Sequence, residues 1–317
     1  LLSTKKYKDK VSVIKGKLVW AGETENNIEY KWFSEVTDGE TKRSVSVRNE
    51  WKGKIAEEVD GVPIPKGFTY KEGTKDTGLV IQDENKNEFV WVTATESTYA
   101  KDTSFPSYDN IKPTGDDTLP KGITDETADV KKYGGFYIVR YEAGVPENQT
   151  TIDGTSSSTS NVKGMPISKK DATVWTDINY MNSKASAESM INNKYVQTGL
   201  ITGTAWDAVC HWIKSDDELK DSRTYGNYNN SESPANVTGY GTKQVSGYSD
   251  KWMVKNIYDL AGNVREWTSE KAGSSDFIYR GGSYDDDGSG DPVSYRGYTY
   301  AFSTDVGIGF RLRLYIK

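Results

Sequence analysis

Apolar residues in this chain come in short runs, and most runs keep the two-residue rhythm of strands. Val11-Ser-Val-Ile14 and Lys17-Leu-Val-Trp20 predict a hairpin around Lys15-Gly16-Lys17. The runs at 77–81 (TGLVI) and 88–92 (EFVWV) predict a second hairpin, turning at Asp83-Glu-Asn-Lys86, and 136–142 (FYIVRYE) is a further strand introduced by Gly134-Gly135. Helical spacing occurs twice. Residues 171–192 repeat Val174, Ile178, Met181, Ala185 and Met190; a second helix opens at Thr204, an N-cap with Asp207 at its third position, and turns Ala205, Val209, Trp212 and Ile213 inward. At the end of the chain 308–312 (IGFRL) resumes alternation, with Phe310 and Leu312 expected on one buried face.

Between these elements the polar stretches set the organisation. Gly61-Val-Pro-Ile-Pro-Lys-Gly67 reads as a rigid boundary. It separates a small N-terminal module, 1–60, from a large domain, 61–317. Within the first, 23–60 is charged and anchored by Trp32, Phe33 and Trp51. In the second, 93–130 is expected to be a surface excursion, 150–164 a low-complexity loop, and 220–250, rich in Tyr, Asn, Gly and Ser, a loop. Gly262-Asn263 suits a tight turn with positive φ, and Trp267 a core anchor.

Composition narrows the chemistry. With 27% charged residues, 9 Trp and 21 Tyr in 317 residues, the chain is expected to fold around an aromatic-rich core. Net charge is −6 with both signs interspersed, and no basic run points to nucleic acid. Cys210 and His211 are single representatives of their types. This excludes an intrachain disulfide, a cysteine-based zinc site and most histidine-dependent catalysis. Cys210 is expected to be a small core residue and His211 a surface residue of its helix. No run of ~18 apolar residues is present to make a transmembrane helix. The chain begins at Leu1 rather than Met, so we expect a segment upstream to have been removed.

The C-terminal stretch 279–317 differs from everything before it. Of the 24 residues from Tyr284 to Gly307, 18 are Tyr, Asp, Gly, Ser or Thr, and none is Lys or Glu. Tyrosine offers large amphipathic contact area at low entropic cost, and small polar residues offer adaptable hydrogen bonds, which is the chemistry of a paratope. We therefore expect a ligand-binding surface built from Tyr284, Asp285, Asp286, Asp287, Gly290, Asp291, Tyr295, Gly297, Tyr298, Tyr300 and Asp305, with the four tyrosines as one exposed cluster.

The ordered set FVWV, GGFYIVRYE, TGTAWDAV, NIYDLAGNVREWT, YRGGSY and GIGFRL resembles the formylglycine-generating-enzyme subtype of the C-type lectin fold, over residues ~62 to 317. That resemblance implies an α+β domain with two helices, a central antiparallel sheet and much irregular loop. The enzyme family uses a cysteine pair after its RGGS motif to bind copper; here 284–297 holds no cysteine, so the fold is expected without the oxidase activity. RGGS, a patchwork and then GFR also resembles the variable region of retroelement-diversified proteins. In these, adenine randomisation of asparagine codons yields Tyr, Asp, Ser, Gly, Asn and Thr but never Lys or Glu. Pro292, Val293, Ser294 and Arg296 would then be scaffold positions. KYKDKVSVIKGKLVWAGETENN resembles the soluble part of prepilin-like proteins, which carry an apolar helix ahead of it. A small β-appendage is the alternative.

These resemblances imply a non-catalytic extracellular or cell-surface binding protein, an adhesin or receptor-binding head with a protein or cell-surface ligand. The alternatives are an oxidase with an altered active site and a structural pilus subunit. No cofactor is expected. Calcium is the alternative there: Asp285-x-Asp287-x-Ser289-Gly290 matches the opening of a calcium loop, but its twelfth position is Arg296 where a bidentate Glu is required. Asn263 and Glu266 could hold calcium as in some lectin-like relatives, or hydrogen-bond the turn backbone.

Overall fold

The structure is a computed structural model that describes the strands within 11–45 and residues 47–146 and 164–317. It is mostly β-sheet with few helices and divides into two compact units, Leu1–Phe68 and Thr69–Lys317. The low-complexity stretch up to 163 and the turn at Lys15-Gly16 lie outside the described residues.

In the first unit β1 (Val11–Ile14), β2 (Lys17–Trp20), β3 (Trp32–Ser34) and β4 (Arg43–Val45) form an antiparallel sheet in chain order. Val11 pairs with Trp20 and Ile14 with Lys17, the register the sequence rhythm indicates. β5 (Ile55–Val59) and β6 (Val62–Pro65) make a separate hairpin that turns on Asp60 and Gly61, both left-handed with φ of 52° and 78°. The Pro/Gly stretch expected as a boundary is thus largely a strand. A two-stranded ribbon has no second neighbour to pair with, so β6 tolerates Pro63 opposite Glu58 and Pro65 opposite Ile55.

The second unit is built on two large sheets and a two-stranded one. β7 (Phe68–Glu72), β8 (Val80–Asp83) and β9 (Glu88–Thr93) open it, followed by the two-residue β10 (Gly115–Asp116), α1 (Ala128–Tyr133) and β11 (Gly135–Val139). Next come α2 (Tyr180–Ser189), β12 (Val196–Leu200), α3 (Gly203–Ile213), β13 (Met253–Val254) and β14 (Ile257–Tyr258). The chain closes with β15 (Arg265–Lys271), β16 (Asp276–Arg280), β17 (Arg296–Tyr300), β18 (Ile308–Phe310) and β19 (Leu312–Ile316). One sheet runs β12-β19-β11-β9-β8-β7; the other runs β10-β15-β16-β17, with β18 parallel beside β15. Val90, Val92, Phe136 and Ile138 share a core with Ala205, Trp206, Val209 and Cys210 of α3, and with Val293 from the C-terminal stretch.

The helices differ from expectation for local reasons. Asp171 and Asp177 are left-handed, with φ of 63° and 56°, so Val174 and Ile178 lie on irregular chain and α2 starts only at Tyr180. Its cap is Asn179, whose Oδ1 accepts the Asn182 N–H at 2.9 Å. α3 is capped by Thr202 rather than Thr204: Thr202 Oγ1 accepts the Ala205 N–H at 3.1 Å. α1, which starts at the end of the expected surface excursion, is too short to show a period and ends on the left-handed Gly134. The last strand pair buries more than one face. Phe310 and Leu312 are inside, and so are Arg311 and Arg313. No described helix is long and apolar enough to cross a membrane.

Candidate functional site

The C-terminal stretch is fastened from beneath by a buried lattice of charge. Arg280 on β16 and Arg296 on β17 are register partners, and both are fully buried. Arg280 Nη2 lies 2.8 Å from Asp207 Oδ1 of α3, a charge contact outside hydrogen-bond geometry, and Arg296 Nη2 donates to Asp207 Oδ2. Arg296 Nε donates to Glu270 Oε2 at 3.2 Å, and Lys101 Nζ stands 3.0 Å from Glu270 Oε1. Burial alone would push Glu270 up; Arg280, Arg296 and Lys101 pull it below its ordinary range instead. Burial holds Asp207 above its ordinary value despite the two arginines. The need for this lattice explains why α3 carries Asp207 inside rather than at its cap.

From that base the loop 281–295 is tied at many points. Arg280 donates to the carbonyls of Ser294 and Tyr295, at 2.9 and 3.1 Å. Trp206 Nε1 donates to Val293 O at 3.0 Å, and Ser294 Oγ to Leu219 O at 2.7 Å. The 220–250 loop supplies the rest. Ser222 Oγ accepts Val293 N–H at 2.9 Å, Asn229 Nδ2 donates to Asp285 O at 2.8 Å, and Asn230 Oδ1 accepts Gly288 N–H at 3.0 Å. Pro292, Val293, Ser294 and Arg296 are all buried, in keeping with a scaffold role. The share taken by Ser222, Asn229 and Asn230 has no sequence signal beyond a run of small polar residues.

The four tyrosines do not form one cluster. Strand alternation puts Arg296, Tyr298 and Tyr300 on one face of the sheet and Gly297 on the other. On the first face Tyr298 meets Tyr108 edge-on with ring centroids 5.9 Å apart, and Tyr300 meets Phe302 at 5.5 Å. Tyr300 is exposed, whereas Tyr284, Tyr295 and Tyr298 are half-buried. Gly297 is no contact residue. It is buried because the Tyr279 ring lies over it, so close that a Cβ there would come within 2.1 Å of the ring.

The second face gathers Tyr279, Tyr295 and the acids. The Arg265 guanidinium sits 5.6 Å from the centre of the Tyr279 ring and pairs with Asp286. Asp286 is also tied to Ser283, whose N–H and Oγ donate to its Oδ2 at 2.8 and 2.9 Å, so it is a structural group rather than a free ligand contact. Asp291 is half-buried, and burial together with Asp286 pushes it up to about 6. Burial and the nearby Asp291 raise the Tyr295 hydroxyl. Asp285, Asp287, Gly290 and Asp305 are exposed. Asp287 accepts from the Ser289 hydroxyl at 2.6 Å and from Gly290 N–H at 3.1 Å; Asp305 accepts Gly307 N–H at 2.7 Å.

The residues weighed for metal or catalysis are engaged elsewhere. Gly262 and Asn263 are both left-handed, with φ of 76° and 60°. Asn263 Nδ2 donates to Glu142 Oε2 at 2.6 Å, and Glu266 accepts Arg311 Nε at 3.0 and 2.9 Å. Among the described residues no group of three His, Cys, Asp or Glu is disposed to hold a metal ion. Cys210 is buried, its Sγ 3.9 Å from Val293 O, and burial pushes its thiol up to about 12. His211 Nε2 lies 3.0 Å from Asp102 Oδ2 at the partly exposed side of α3. Trp267 is buried, donating to Ile178 O at 2.9 Å.

No family model and no curated protein matches the chain. Among solved structures it is similar to Treponema denticola variable protein 1, at 15% identity over 72% of this chain and 95% of that one, with a TM-score of 0.39. It is also similar to PvdO from Pseudomonas aeruginosa, at 12% identity over 77% of this chain and 100% of that one, with a TM-score of 0.40. Likenesses at these scores settle neither the fold subtype nor a function.

Proposed function

We propose that this protein is a non-catalytic binding protein whose ligand surface is carried by 284–306. One observation supports it above others. Within that stretch the inward positions are Gly288, Pro292, Val293, Ser294, Arg296, Gly297 and Ala301, while the most outward ones are Asp285, Asp287, Ser289, Gly290, Tyr300, Phe302, Asp305 and Val306. The chain thus separates residues that hold the backbone from residues that meet solvent, as a loop-borne binding site on a rigid support requires.

The sequence motifs extend the reading to a C-type lectin-like fold of the formylglycine-generating-enzyme subtype, diversified by a retroelement. They also extend it to display outside the cell, with residues 1–60 as a pilin-like attachment module. The inert environment of Cys210 gives the oxidase alternative no nucleophile.

The test is a displayed library randomised at 285, 287, 289, 300, 302 and 305, beside a second library randomised at 292, 293, 294 and 296. The reading expects most members of the first to fold and different members to bind different targets, while most of the second fail to fold. Equal loss of folding in both libraries would overturn it.

A further inference from the structure

The exposed aromatic surface extends beyond the C-terminal stretch. Three of the seven large apolar side chains exposed among the described residues are Tyr108 (55%), Tyr300 (51%) and Phe302 (40%). Tyr108, Tyr298, Tyr300 and Phe302 form a row. Tyr108 rests on Tyr298 at 5.9 Å, Tyr298 and Tyr300 are two residues apart on one strand face, and Phe302 lies 5.5 Å from Tyr300. Tyr108 is no chance neighbour. Arg296 N–H donates to Pro106 O at 2.9 Å and Arg296 Nη1 to Asp102 O at 2.8 Å, so the strand that carries Tyr298 also fixes the chain that carries Tyr108.

The rim of this row is acidic. Asp276 stands opposite Tyr300 in the β16–β17 register, and directly opposed residues share a face. Asp109 follows Tyr108. Neither of these two carboxylates makes an ion pair among the described residues. Arg296, the one basic residue between 284 and 307, is buried and committed to Asp207 and Glu270. Lys112, close to Asp109 in sequence, is one charge against two. Tyrosine faces attract cations through the ring quadrupole, and unpaired carboxylates attract them directly.

We propose that the row Tyr108–Tyr298–Tyr300–Phe302 docks a protein segment bearing lysine or arginine, and that Tyr108, Asp109 and Asp276 belong to the binding surface although they lie outside the C-terminal stretch. The proposal rests on the reading of 284–306 as a ligand surface. Its occupant is a basic protein segment because an acidic rim repels anionic ligands, and a wide row of rings offers more contact area than one sugar or one ion fills.

The experiment selects binders to the full-length protein from a phage-displayed library of random 12-residue peptides, with a glycan array probed in parallel. Enriched peptides should carry net positive charge. Their affinity should fall at least 10-fold with added salt, with Tyr108→Ser, and with the double change Asp109→Asn, Asp276→Asn. An unchanged thermal midpoint confirms that each variant is folded. Enrichment of neutral or acidic peptides, indifference to Tyr108 and the two acids, or binding confined to glycans would overturn the proposal. Peptides that depend on Tyr284 or Asp291 and ignore Tyr108 would overturn it while leaving the proposed function standing. No enrichment on either array, or binding that survives replacement of every outward residue of 284–306, would remove both.

Discussion

Arg280 and Arg296 stand directly opposite each other across β16 and β17, and the two guanidiniums share one pair of carboxylates, Asp207 and Glu270. Like charges facing across a ladder are ordinarily destabilising. Here each side of the pair is compensated, and the arginines spend their remaining donors on the loop that follows: Ser294 O, Tyr295 O and, through Arg296, Asp102 O. The loop is therefore held from below by charge and hydrogen bonds as well as by the burial of Val293.

Removing one acid from this lattice should be costly. Asp207→Ala leaves two buried guanidiniums on Glu270 alone, and a loss of about 3–5 kcal/mol is expected for breaking a buried pair. Urea unfolding would measure it. A loss below about 1 kcal/mol, the range of an exposed pair, would show the lattice to be hydrated.

Gly297 should not accept a side chain. Gly297→Ala forces a methyl against the Tyr279 ring and should cost about 1–3 kcal/mol by overpacking. Combining it with Tyr279→Ala should recover part of that cost, and a double-mutant cycle reads the coupling directly. Strict additivity would place the ring elsewhere.

Stability should decline as pH rises from about 4 to 8. Burial pushes Asp259 up to about 7, and burial with Asp259 and Glu266 nearby raises Glu142 well above its ordinary value. Groups whose folded pKa exceeds the unfolded value bind more protons when folded. Their contribution is complete below the unfolded pKa and is lost as pH passes the folded one. Asp259→Asn keeps an acceptor for Gly247 N–H, bound at 2.6 Å, and should raise the thermal midpoint at pH 8 while flattening the slope. At lower pH the opposite class takes over: Asp125 and Glu218, held near 2 by hydrogen bonds from Thr127 and Lys214, lose their contribution as they protonate. A midpoint that rises steadily from pH 5 to 8 would contradict the assignment.

The thiol of Cys210 should be silent in the native protein. It is expected not to react with a disulfide reagent until the chain is unfolded, and Cys210→Ala should cost about 1 kcal/mol, near the transfer energy of one small apolar group. Prompt labelling in native buffer would show that α3 opens.

Single outward substitutions should barely affect folding. Tyr300→Ser and Phe302→Ser are expected within about 0.5 kcal/mol of the parent, as for other exposed sites. Tyr298→Ser, which strips Tyr108 of its partner ring, should cost more. Equal costs at all three would mean that Tyr300 is packed in solution.

Much of this molecule follows from local sequence. The strands at 11–20, 80–93 and 135–139 form on the runs that alternation or bounded apolar residues mark, although β8 begins at Val80 rather than at 77 and β11 ends at Val139 rather than at 142. Gly262-Asn263 adopts the left-handed turn its residue types favour. These are preferences of a few adjacent residues, so a few adjacent residues suffice to reveal them. The shortened α2 was hidden because Val174 and Ile178 keep helical spacing while left-handed Asp171 and Asp177 break the backbone. Arg311 and Arg313 look outward-facing in an alternating strand, yet both are buried, because Glu266 on β15 and Asp129 on α1 are there to receive them. The site divides in the same way. The Tyr, Asp, Ser and Gly bias of 284–307 singles out the candidate stretch from composition alone. That Tyr295 and Tyr298 face opposite sides, that Gly297 lies under Tyr279, and that Tyr108 joins the row were decided only when β16 and β17 paired and Arg296 captured the chain at Pro106. Those contacts join residues as far apart as 190 positions, and a pairing at that range leaves no periodic trace in either partner.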